Sequence, residues 1–273
     1  MIMVSKNVNS NKRATTQSFV EMQQVWKQYV LILIYLFSFI FFMSFFTRPA
    51  FAVRPFVTDD ARVLDEHTMQ LETSVRYERD AFTNLNLFAF SPKDKIELTL
   101  GFSDGFPLAA GSDRSFSIAG PLMQIKYLLW ETKPNRYPGL AFALGAAPPW
   151  GKGDFRPERW SEFFYLAATH SLFENDRVLI HANLGLSTTN PATVSTWGLG
   201  TQIGIIGGLN GVLEIFYNDP YAGKTGGAYQ VGFRYIVSEQ VQIDLTIASG
   251  LFGSEQINTF VGMGLRLVSD KLW

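Results

Sequence analysis

Between Ala228 and Gly250 apolar and polar residues alternate with a period of two. Tyr229, Val231, Phe233, Tyr235 and Val237 share one face, and Gln230, Gly232 and Arg234 the other. After a turn at residues 238–240, Val241, Ile243, Leu245 and Ile247 alternate in the same way with Gln242, Asp244 and Thr246. A period of two bounded by polar turn residues predicts a β-hairpin. Pairing across the turn sets Arg234 opposite Asp244, so opposite charges share the polar face. The apolar face runs for about ten residues per strand, the length that crosses an outer membrane at a tilt.

The same pattern recurs along the chain and predicts twelve strands. Besides the hairpin they cover residues 69–79, 85–90, 96–103, 122–130, 140–146, 162–173, 178–188, 197–206, 212–218 and 257–267. The phase of 162–173 is open, because Phe163, Phe164, Tyr165 and Leu166 run together. Connections alternate in length. Stretches 104–121, 148–161, 189–196, 219–227 and 251–256 are long, whereas 91–95, 174–177, 207–211 and 238–240 are tight; the short first loop and the 131–139 stretch break the rule. Short turns on one side and longer loops on the other, with an even strand count, are the habit of a single-chain antiparallel transmembrane β-barrel. The expected fold class is therefore all-β. None of the clear outward stripes carries a charge at its centre, where one on the lipid face would cost roughly 2 to 4 kcal/mol for a basic residue.

Period alone does not say which face meets the interior, because a soluble barrel buries its apolar face and a membrane barrel exposes it. The N-terminus bears on the choice. Residues 29–46 form an uncharged apolar run preceded by Lys6, Lys12, Arg13 and Lys27 and followed by Ala50, Phe51 and Ala52. A basic region, an apolar stretch and small residues at a cleavage site read as a secretory signal peptide over 1–52, cut after Ala52; the run is also long enough to serve as an uncleaved anchor. Residues 53–68 then lead in to a barrel over 69–273, whose closing residues Leu272 and Trp273 resemble the terminal aromatic signal read by barrel assembly machinery. The expected location is the bacterial outer membrane, with outer-membrane lipid and lipopolysaccharide as partners.

Composition narrows the chemistry. The chain has no cysteine, which excludes disulfides, thiolate metal sites and cysteine catalysis. A net charge of −1 offers no basic surface for nucleic acid. No metal-ligand spacing or phosphate-cradling glycine loop appears, so neither metal nor cofactor is expected.

The stretch 54–72 carries a more specific signal. Arg54, Pro55, Thr58, Asp59 and Asp60, followed by the Leu71 and Glu72 pair, resemble the start of a family of bacterial outer-membrane proteins labelled as putative meta-pathway phenol-degradation proteins. That resemblance implies an outer-membrane barrel that is transporter-like and passes hydrophobic or aromatic compounds.

The candidate functional residues fall into three groups. Inward charges at Glu72, Arg76, Glu97, Lys126, Glu214, Arg234, Asp244 and Arg266 form a mixed-charge wall, read either as a lining that selects solutes or as a salt-bridge ladder that stiffens a narrow barrel. Trp150, Phe155 and Trp160, interleaved with Lys152, Arg156 and Arg159, are either a mouth that collects aromatic solutes or an interfacial girdle. The lead-in segment is either a partial plug or a periplasmic linker, and inward glycines at 198, 200, 204, 232, 262 and 264 leave room for the former or simply let the wall curve. Outer-membrane lipid hydrolases resemble one another in a His-x-Ser spacing that puts both side chains on one strand face. Here Ser171 directly follows His170, and Ala182 and Asn183 follow His181, which leaves only a cross-strand pair such as His170 with Ser187. No catalytic residue is assigned. The leading expectation is a passive channel for small hydrophobic or aromatic solutes; a structural or adhesive barrel without an open pore and a lipid hydrolase are the alternatives.

Overall fold

The computed structural model describes residues 56–109, 115–189, 192–221, 224–253 and 257–272. The expected signal peptide, and Arg54 and Pro55 of the motif, lie outside them. Among the described residues the strands are β1 (Met69–Glu78), β2 (Ala81–Lys93), β3 (Ile96–Pro107), β4 (Ser117–Trp130), β5 (Gly139–Ala147), β6 (Gly151–Lys152), β7 (Ser161–Ser171), β8 (Val178–Thr189), β9 (Ala192–Ile206), β10 (Leu209–Asp219), β11 (Lys224–Ile236), β12 (Val241–Phe252) and β13 (Phe260–Val268). Twelve are long; β6 is a two-residue strip laid against β4.

Neighbours pair antiparallel around the whole ring. β1 pairs with β13, and the pairing of β3 with β4 joins the remaining ends of the sheet. Closure leaves no long strand with an unpaired edge, so the main-chain polar groups are satisfied within the wall, as hydrocarbon requires.

Side chains decide which way the wall faces. Leu98, Leu100, Ile125, Leu144, Leu166, Leu184, Leu199, Leu213, Phe233, Leu245 and Met263 are exposed, while Glu72, Glu97, Lys126, Gln202, Glu214, Arg234, Asp244 and Arg266 are buried. A water-soluble protein distributes these types the other way round. Charged residues inside and leucines outside define an outer-membrane β-barrel.

The hairpin that opened the reading forms β11 and β12, with Arg234 in register with Asp244. The open phase of the 162–173 stretch resolves with Phe163, Tyr165, Ala167 and Thr169 buried and Phe164 and Leu166 exposed. Two large aromatics can turn inward there because the lumen is filled: Phe163 and Tyr165 pack in one apolar cluster with Ala61 of the lead-in segment, and Gly145 leaves space where a Cβ would strike the Phe163 ring.

Several expected loops are strand instead. β8 and β9 are separated only by residues 190–191, not by a long connection over 189–196. β3 continues past 103 to Pro107, and β4 begins at Ser117. In β3 and β4 the extension begins at turn-like residues, Asp104 with Gly105 and Gly120 with Pro121, so the alternation is interrupted where main-chain pairing is not. One consequence is that Asp104, expected in a loop, stands on the outer face of β3, in register with Asn84.

Candidate functional site in the lumen

The lead-in segment occupies the barrel interior. Residue 56 sits deep in the lumen and the chain runs from there to β1, held by wall side chains along its length. Glu214 accepts the N–H groups of Val57 and Thr58 at 2.9 and 3.0 Å. Thr169 Oγ1 accepts the Ala61 N–H at 2.8 Å, and Glu97 accepts the Leu64 N–H at 3.0 Å. These bonds satisfy an irregular main chain that has no strand partner inside the barrel.

Asp59 and Asp60 both bond to β7 and differ in their other partners. Asp59 forms an ion pair with Lys126 at 2.8 Å and accepts the Tyr165 hydroxyl at 2.7 Å. Asp60 accepts the Thr169 hydroxyl at 2.9 Å, pairs with Arg62, and through Arg62 is linked to Asp176, 3.0 Å away. Burial raises the Asp60 carboxyl, but Arg62, with His181 and Lys126 behind it, outweighs burial and holds it below the usual carboxylate range. Phe56 packs beside His181, ring centroids 5.8 Å apart, with the Arg234 guanidinium 5.6 Å from its own ring centre.

Of the eight lumen charges read from the sequence, the structure therefore brings Glu97, Lys126 and Glu214 to the segment by polar contact and Arg234 by its position over Phe56. Arg234 also donates to Asp244 at 3.0 Å and to Gln202 at 2.6 Å; the two charged groups are 1% and 2% exposed. Glu72 lies in register with Arg266, and Gln70 bridges them, donating to Glu72 at 2.8 Å and accepting from Arg266 at 2.5 Å. Arg76 stands apart from Arg266, farther along β1, where its guanidinium covers the Phe260 ring at 3.6 Å between Glu78 and Asp219. Asp65 of the lead-in segment is exposed and makes no ion pair among the described residues. Tyr165, Thr169 and Gln202 are contacts that sequence reasoning did not select; alternation marks Gln202 only as inward and leaves Tyr165 and Thr169 unplaced, because they lie on the strand of open phase.

The expected loop mouth does not form as a unit. Trp150 and Trp160 are 61% and 53% exposed. Phe155 instead turns inward, over Gly105, and lines a lumen cavity. Two glycines of six serve the segment: a Cβ at Gly198 would collide with Thr58, and one at Gly200 would touch Phe56, whereas Gly204, Gly232, Gly262 and Gly264 face wall residues.

Three cavities follow one another past the segment. The outer one, about 370 Å³, is lined by Phe56, Val57, Leu85, Phe155, Tyr221 and Phe260 with Arg76, Glu78 and Asp219. A neck of about 20 Å³ shares Phe56 and Val57 with it. The neck shares Gln70 and Glu97 with a polar vestibule of about 650 Å³ at the end of the barrel that carries the start of β1 and the end of β13.

The cross-strand pair of His170 with Ser187 does not form. Register sets His170 opposite Ile180 and Ser187 opposite Phe163, near opposite ends of β7. His181 is buried with Nδ1 3.0 Å from Thr169 Oγ1. Among the described residues, no group of three metal-ligating side chains comes together.

No family model matches the chain, and neither does any curated protein. Solved structures do match in fold. The COG4313 outer membrane channel from Pseudomonas putida F1 aligns over 80% of this chain and 100% of its own, with a TM-score of 0.55 and 12% identity. The KdgM porin aligns over 72% of this chain and 98% of its own, with a TM-score of 0.52 and 8% identity. The KdgM porin in complex with disordered oligogalacturonate gives 0.51 and 9% over the same spans. At these identities the likeness is one of architecture: a closed outer-membrane barrel.

Proposed function

We propose that this barrel is a passive channel for small hydrophobic or aromatic solutes whose lumen is closed down by its own lead-in segment. The observation that carries this reading is the outer cavity. Four aromatic rings, Phe56, Phe155, Tyr221 and Phe260, enclose a space of the size that holds a small ligand, with a few charged groups to orient it. A barrel whose role was purely structural has no need of such a chamber, and the neck below it is where passage would be controlled. The channel-like neighbours support the class of protein; the aromatic lining supports the class of solute.

Single barrels recorded in a planar bilayer test the reading. Benzyl alcohol added on the Phe155 side should produce concentration-dependent interruptions of the current that arabinose does not. The absence of any current, or a current indifferent to both solutes, would overturn it.

A further inference from the structure

The outer wall carries a polar cluster where lipid is expected. In successive rows across β1, β2 and β3, register aligns Leu71, Phe88 and Leu100, then Thr73, Asn86 and Phe102, then Val75, Asn84 and Asp104, then Tyr77, Phe82 and Phe106. The two middle rows contain a hydrogen-bonded set on the outer face. Thr73 Oγ1 donates to Asn84 Oδ1 at 3.0 Å, and the Asn84 and Asn86 amides both donate to the same oxygen of Asp104, each at 3.1 Å. Apolar side chains bound it below, and aromatic ones above. The cluster thus lies within the apolar band and not beyond it.

A carboxylate and two carboxamides facing hydrocarbon are costly unless something satisfies them. The internal bonds do half of this. Asp104 Oδ2 and Asn86 Oδ1 accept nothing from any described residue, and each amide keeps a second N–H. Two acceptor oxygens and two N–H donors remain, a balanced set that can pair with itself. A protein partner reaching this depth must itself enter the membrane, and a second copy inserted in the same direction presents the same cluster at the same height.

We infer that this face of β1–β3 is the contact between two copies of the chain, related by a two-fold axis along the membrane normal, with Asp104 of each copy accepting amides of the other. Such an interface is isologous. Interhelical Asn contacts stabilise association between membrane segments by the same means, and here the strands supply the amides.

The chain has no cysteine, so a single introduced thiol reports on one place. Full-length protein carrying Val75→Cys, reconstituted at low density in lipopolysaccharide-containing vesicles, should be joined into a dimer by a short bis-maleimide. Leu213→Cys, on β10 across the barrel, should give at least about tenfold less at the same density, and adding Asp104→Leu to Val75→Cys should lower the yield about tenfold. Heat-modified gel migration checks that the Asp104→Leu barrel is folded, and the ratio of the two single-thiol variants decides the matter without it. Equal yields at Val75 and Leu213, or a dimer indifferent to Asp104→Leu, would overturn the proposal. So would a wild-type monomer that retains lipopolysaccharide in native mass spectrometry and loses it in Asp104→Leu, since the cluster would then hold lipid.

Discussion

Glu214 places one carboxylate oxygen 3.0 Å from the Thr58 nitrogen and the other 2.9 Å from that of Val57, so a single wall residue grips the innermost end of the lead-in segment with both oxygens. Hydrogen bonds to a charged acceptor contribute roughly 1.5 to 3 kcal/mol each. Glu214→Ala should loosen that end and raise single-channel conductance. Glu214→Gln, which keeps one acceptor, should fall between it and the wild type.

Gly198 gives a second, independent handle on the same contact. A Cβ there would meet Thr58, and a β-branched side chain cannot turn away from it. Gly198→Val should therefore displace the segment and raise conductance, while Gly232→Ala, which meets only wall atoms, should leave the current small even if it costs stability.

The Arg234 and Asp244 pair tests whether the inward charges stiffen the wall. Removing one member of a buried pair typically costs about 3 to 5 kcal/mol because the other is left uncompensated, whereas replacing both with apolar residues is often neutral. Arg234→Leu should lower resistance to urea unfolding in lipid vesicles by about that amount, and Arg234→Leu with Asp244→Leu should recover most of it. Recovery would favour the ladder reading of these two residues over a role in selecting solutes.

Acid should release the segment only at unusually low pH. Asp60 titrates below its ordinary value in the folded barrel because Arg62, His181 and Lys126 outweigh burial. A carboxyl depressed in this way contributes stability that is complete above its unfolded value and is lost as pH falls through the folded one. From pH 7 to about 4, conductance governed by this latch should stay flat. Arg62→Ala removes the largest lowering influence and should move the rise in current to higher pH.

How far the sequence foretells this arrangement depends on whether a feature is written in alternation. The register of Arg234 with Asp244 is legible because polar and apolar residues alternate without a break on both sides of a tight turn. Asp104 is not, because Ser103, Asp104 and Gly105 look like the start of a loop, yet their main chains continue the ladder to β2. The phase of β7 is hidden for a different reason: both faces are apolar, one toward lipid and one toward Ala61, so no contrast remains. The lead-in segment has no period at all. Its path is set by side chains on distant strands, Glu214, Thr169 and Glu97, and by the absence of side chains at Gly198 and Gly200. Alternation marks all of these but Thr169 as inward, and nothing local in the sequence says that they converge on one strip of chain.

The central claim is that residues 56–62 close a passage through this barrel, and planar-bilayer conductance of the full-length protein beside a variant lacking those residues tests it most directly. The account predicts a small current through the intact barrel and a several-fold larger, steady one through the variant. Equal currents, whether both negligible or both large, would contradict it.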